Sequence, residues 1–189
     1  MTPEALLGGF SAAPRQSALA FRATLNALAR PSTLHRLTGA TPPAPLSIAA
    51  GVLVLTLCDG TTPIHLAGAH NCAALREWIT FHSGAPLVAA DQAVFAIGTW
   101  EALQPTARFA IGQPDYPDRS ATLIVEMPAL IAQGPRLTGP GIKGAAHLSL
   151  PETAAFTTNR ALFPLGFDCF FTAGEQVAGL PRSTKVEAV

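Results

Sequence analysis

The sequence is short of charge. Asp, Glu, Lys and Arg make up 13% of its residues, where a soluble domain usually carries about a quarter. Twelve basic residues balance twelve acidic ones. No broad field therefore draws the chain to nucleic acid or to an anionic lipid surface, and a generic nucleic-acid binder is excluded. The scarcity itself has two readings. Part of the surface is covered by partner chains, because interface cores are depleted of Lys, Glu and Asp; or the composition reflects an alanine-rich genome.

Cysteine is scarce as well. Cys58, Cys72 and Cys169 are odd in number, widely spaced and set among apolar residues. Neither a disulfide framework nor a zinc site is expected, and a reducing cytoplasm is the simplest location. Long apolar runs are missing too. The longest, residues 46–58, is broken by Ser47, Gly51 and Thr56, falls short of the roughly 20 residues a bilayer core demands, and reads as a buried helix. The first four residues show no basic region leading into an apolar one, so no signal peptide is expected.

The standard catalytic signatures are absent: HExxH, GxSxG, GxxxxGK[ST], CxxC and a GxGxxG after a strand. His35, His65, His70, His82 and His147 do not pair at helical ligand spacing. Only two lysines exist, Lys143 and Lys185, and neither has the setting of a Schiff-base lysine. Asp115 and Asp118 sit in a proline-bracketed loop that reads as solvated. The expectation is a chain without catalytic residues, metal or cofactor of its own.

What is present is core material. Hydrophobic residues make up 49% of a 189-residue chain, enough for one domain spanning 1–189. Ala18, Phe21, Leu25 and Leu28 recur at spacings of three and four, which predicts a helix over 15–29 with one apolar stripe, ended by Arg30-Pro31. Residues 33–37 alternate like a strand, 64–66 read as another, and Asn71 is a plausible N-cap for a helix running to about His82. Leu87-Val88 and 94–97 read as short strands, 106–120 as a surface loop or flap, and 121–127 as a strand buried on both faces. A helix is expected over 151–162, then a hairpin of 168–172 and 176–180 around Ala173-Gly174-Glu175. Helices and strands alternate first and strands dominate later, which implies an α/β fold with a mixed sheet.

One segment suggests chemistry: Arg136-Leu-Thr-Gly-Pro-Gly-Ile-Lys143. Gly139 and Gly141 permit conformations that turn successive N–H groups into an anion-sized concavity, and Arg136 and Lys143 flank it with charge-assisted donors. The alternative is a tight strand-ending turn with two solvated cations. The run from Leu180 to Glu187 is similar in kind, with Arg182 and Lys185 either binding phosphate or lying on an exposed tail.

Those segments also carry a resemblance. Phe163-Pro-Leu-Gly-Phe-Asp168, then Gly174-Glu175, then Leu180-Pro-Arg-Ser-Thr-Lys-Val-Glu187 is similar to the end of the PhnH family. Pro135-Arg-Leu-Thr-Gly-Pro-Gly-Ile142 resembles that family's RLTGPGI element, Phe81-His-Ser-Gly-Ala-Pro86 its FHTGAP-like segment, and residues 16–31 its opening helix. The matches stand in family order along nearly the whole chain. Ser32 departs from the pattern, in which glycine follows Pro31, and Lys185 stands where members vary. The resemblance implies a three-layer α/β/α sandwich like that of pyridoxal-phosphate-dependent transferases, without the cofactor site. It implies a cytoplasmic subunit of the carbon–phosphorus lyase core complex with G, I and J subunits, able to form homodimers. With the L subunit, G, H and I join a phosphonate to the ribose C1′ of ATP and release adenine. Whether this chain only completes a partner's site, or binds the triphosphate through Arg136, Gly139, Gly141 and Lys143, stays open.

Overall fold

The run Thr122–Glu126 forms strand β6, and its side chains alternate between two buried clusters: Leu123 and Val125 enter one, Ile124 the other. A continuous apolar run buried on both faces suits a central parallel strand. In the computed structural model, which describes residues 6–187, β6 lies inside a six-stranded sheet. The strand order is β1 (His35–Arg36), β10 (Gln176–Leu180), β9 (Asp168–Ala173), β6, β3 (Phe95–Thr99) and β2 (Ile64–Leu66). Strands β2, β3, β6 and β9 run parallel, while β10 and β1 add antiparallel partners at one side. The mixed α/β architecture is therefore the one the alternation of elements implied.

Helices α1 (Ala13–Ala29), α2 (Ile48–Leu57) and α3 (Ala73–Ser83) share the first cluster on one face of the sheet. The second cluster, on the other face, joins α4 (Trp100–Leu103) and α5 (Ala154–Ala161) to a three-stranded sheet. That small sheet has the order β11 (Lys185–Glu187), β7 (Arg136–Thr138) and β8 (Ala146–His147). The layer on this face thus mixes two short helices with strands.

Helix α2 explains the longest apolar run. Ser47 caps it, its hydroxyl accepting from the Ala50 N–H at 3.1 Å, and every residue from Ala49 through Val54 is buried. A helix apolar all round belongs between other layers, and α2 is packed against α1, α3 and the sheet.

Helix α1 departs from expectation. Its inward face is made by Ala20, Thr24 and Ala27, and of the expected stripe Leu28 alone packs against the core. The reason is a close approach to β10: a Cβ on Gly179 would stand 2.6 Å from the Ala27 carbonyl oxygen. Only small side chains fit between helix and strand there, so Phe21 and Leu25 are turned outward, 52% and 56% exposed.

Four other expectations need correction. The 106–120 segment is not a structureless flap: β4 (Ile111–Gln113) and β5 (Tyr116–Ser120) pair as a hairpin, and Asp115 and Asp118 fall on its turn and its second strand. Cys72, not Asn71, occupies the N-cap of α3; the Asn71 side chain accepts from Arg76 Nε at 2.6 Å instead. Leu87 makes a single bridge to Ile64 rather than a strand. Helix α5 begins at Ala154, three residues after Pro151.

Ser32 stands in the left-handed region at φ 74°, where the resemblance places glycine. A side chain in that region costs roughly 1–2 kcal/mol, against roughly 0.5–1 kcal/mol for glycine's extra freedom in the unfolded chain. Ser32→Gly should therefore stabilise the protein by about 0.5–1 kcal/mol, read as a higher urea midpoint with an unchanged slope.

Candidate functional site

The hairpin of β9 and β10 closes on a two-residue turn, Gly174-Glu175, with Ala173 opposite Gln176 and Cys169 opposite Leu180. That register carries Asp168 and the residues after Leu180 to the same end of the sheet. There Arg182 is fully engaged. Its Nη2 meets Asp168 Oδ2 at 2.6 Å and its Nε meets Oδ1 at 3.2 Å. Its backbone N–H donates to the same Oδ1 at 2.8 Å. The remaining donors reach the Pro117 carbonyl at 2.8 Å and the Ser120 hydroxyl. The two charged side chains are only 12% and 23% exposed. Arg182 is therefore not a free phosphate ligand but the clamp between β9, the end of β10 and the β4–β5 hairpin.

The neighbouring motif residues behave alike. Asn159, buried in α5, donates through Nδ2 to the Phe167 carbonyl at 2.8 Å and accepts the Phe167 N–H at 2.9 Å. Gly166 permits this, having φ 118° and a Cβ direction that would put an atom 2.5 Å from Asn159 Oδ1. The Phe-Pro-Leu-Gly-Phe-Asp string is thus read out as a seat for α5 and an anchor for Arg182.

In the glycine turn, Gly139 and Gly141 do have positive φ, 135° and 79°. Any Cβ on Gly141 would overlap the carbonyl oxygen of Ala29 at the end of α1, so packing alone demands glycine there. Arg136 pairs with Glu187 at 2.7 Å, both half exposed, on adjacent strands β7 and β11. Lys143 is exposed and makes no hydrogen bond or ion pair with the other described residues. The four residues thus share one stretch of chain, but one cation is already neutralised and one glycine is needed for packing.

Two features escaped the sequence reading. Glu126, at the carboxyl end of β6, accepts the Ser47 N–H at 2.8 Å and so fixes the start of α2. Burial raises its pKa, opposed by hydrogen bonds from Ser47 and Thr172. His70 follows β2 and is buried with neither ring nitrogen hydrogen-bonded. Burial lowers its pKa, opposed in part by the nearby Pro45 carbonyl. A strand-end carboxylate beside a helix start was findable in principle, since β6 ends at Glu126; the placement of His70 had no signal.

The two buried thiols are poor nucleophiles. Burial, and then Asp59, push Cys58 up to about 12, and burial raises Cys169 well above its ordinary value. Among the described residues no three His, Cys, Asp or Glu side chains gather as a metal site would need. No helix among them is long and apolar enough to cross a membrane.

Fold and site together define a mixed-sheet α/β protein whose distinctive residues are spent on holding its own segments together. Residues 8–187 match the family described as bacterial phosphonate metabolism protein (PhnH). A Rhizobium meliloti (strain 1021) protein named alpha-D-ribose 1-methylphosphonate 5-triphosphate synthase subunit PhnH is 41% identical over 189 aligned residues, covering 95% of this chain and 94% of that protein. A Stutzerimonas stutzeri protein, putative C-P lyase subunit protein HtxG, is 29% identical over 92% of this chain and 87% of its own length. The chain belongs to the PhnH family.

Removing one partner of the clamp leaves a partly buried charge uncompensated. Arg182→Met should cost about 3 kcal/mol, the low end for a broken buried pair. The double variant Asp168→Asn, Arg182→Met should recover part of that loss in the same urea titration.

Glu126 gives a pH prediction. A carboxyl with a raised folded pKa favours the fold while protonated, and that contribution is lost as pH rises from the ordinary carboxylate range through the raised value. Glu126→Gln should flatten this decline, measured as urea midpoints of both proteins across that window. Parallel pH profiles would mean that the carboxyl is not desolvated.

Proposed function

We propose that this chain is a non-catalytic assembly subunit of the carbon–phosphorus lyase system. In that reading it works with partner subunits to transfer a phosphonate to the ribose C1′ of ATP, releasing adenine and forming a ribose 1-alkylphosphonate 5-triphosphate. Two facts support it: the family, and relatives whose names describe them as subunits of a synthase and of a C-P lyase. The single observation that carries the non-catalytic part is the fate of the motif residues. Asp168, Arg182, Asn159, Gly166 and Gly141 are all committed to internal contacts.

The same reading makes the chain a single cytoplasmic domain that forms a homodimer when isolated and joins G-, I- and J-type partners in the complex. It also makes the sheet and its covering helices a relative of the pyridoxal-phosphate-dependent transferase fold without a cofactor site. Chemistry is then done on the partners, with this chain completing or steadying their sites.

The test is a double variant, Arg136→Ala with Lys143→Ala, assayed in the reconstituted complex for triphosphate affinity and assembly. The expected outcome is unchanged affinity, with stability altered by no more than about 0.5 kcal/mol. A loss of about tenfold or more in affinity, with intact assembly, would instead make the turn a triphosphate site, since a charge-assisted contact contributes roughly 1.5–3 kcal/mol. Gly141→Val should destabilise in either case, because of the clash with Ala29 and the left-handed φ.

A further inference from the structure

The outer face of α1 is left exposed by the rest of the described residues. Leu19, Phe21 and Leu25 are 62%, 52% and 56% exposed. Phe21 and Leu25 are one turn apart and so adjacent on the surface. Ala18 is exposed on the same side. Single exposed apolar residues are ordinary, but a group of large ones along one helix marks an interaction surface.

The polar residues of this face have one sign. Arg15 and Arg22 are exposed among these side chains and have no hydrogen-bond or ion-pair partner among the described residues. Helix α1 contains no acidic residue at all. Beside the face, a hollow of about 140 Å³ opens between the helix and residues 36–39, lined by Gln16, Leu19, Ala20 and Leu37. It is roughly large enough for one side chain of a partner, the arrangement in which interface energy concentrates.

We infer that the outer face of α1 is the docking surface for a different subunit, one that presents an apolar ridge flanked by carboxylates. The inference rests on the reading of this chain as an assembly subunit and adds the surface and the chemistry of its partner. A second copy of the chain is the poorer occupant. Two α1 helices laid together would set Arg15 and Arg22 against arginines, with no acid on either helix to meet them, and juxtaposed like charges oppose association.

The experiment compares the wild-type chain with Phe21→Glu, Leu25→Glu and with Arg15→Glu, Arg22→Glu. Each is co-expressed with the remaining synthase subunits, and each is also purified alone. Circular dichroism and melting temperature are read first. Should the first pair disturb folding, Phe21→Gln with Leu25→Gln replaces it. The expected result is that both variants fold, keep the wild-type mass in isolation by sedimentation, and bind the partner subunits about thirtyfold or more weakly, the scale of one interface hot spot. Unchanged entry into the complex would overturn the inference. So would loss of self-association by the isolated variants, which would assign the face to a second copy. Wild-type binding to phosphatidylglycerol vesicles that the variants lose would assign it to lipid and equally overturn it. Failure of the wild-type chain itself to join the complex would remove the assembly-subunit reading beneath it.

Discussion

The ion pair of Arg182 with Asp168 is the joint on which the second half of the chain depends. One guanidinium holds the start of β9, the segment leaving β10 and the β4–β5 hairpin. That segment continues directly into β11, which pairs with β7. Strand β7 in turn leads into the glycine turn that abuts the end of α1 at Ala29. A chain of contacts therefore runs from the central sheet through the small sheet and back to the first helix on the opposite side. A partly buried charge pair adds little net stability over an apolar pair of equal volume. What it supplies is geometry, because the planar fork of arginine accepts few arrangements.

This places the family's recognisable strings in a particular light. Short strings of Gly, Pro, Asp and Arg usually invite a catalytic or phosphate-binding reading. Here the Asp and Arg neutralise each other, and Gly166 and Gly141 mark where an asparagine side chain and a helix-end carbonyl come too close for any Cβ. The strings describe how segments cross.

Much of the fold was legible because its signals were local. The β9–β10 hairpin followed from two apolar runs around Gly174, α2 from the longest apolar stretch, and β6 from four successive apolar or β-branched residues. The clamp was legible only in part. Asp168 and Arg182 lie fourteen residues apart across a hairpin whose register was readable, yet their partners Pro117 and Ser120 come from a segment that read as loop. Hairpins of three to five residues with poor alternation give weak signals. Of the proposed anion turn, the positive φ of both glycines was readable from residue type, whereas the packing of Gly141 on Ala29 joins residues more than a hundred positions apart.

Helix α1 failed differently, and the failure is instructive. Periodicity locates an apolar stripe but does not say what it faces. In α1 the helix–strand spacing admits only Ala20, Thr24 and Ala27 as buried residues, so Phe21 and Leu25 of the larger stripe are left in water. The two readings of the chain's low charge separate at this point. A genome bias toward alanine accounts for small residues anywhere along the sequence. It does not account for a phenylalanine and two leucines exposed on the outside of one helix, beside two arginines that have no partner among the described residues. Covered surface accounts for both observations, because the area that a partner hides from water is where charge is unneeded and large apolar side chains are not costly.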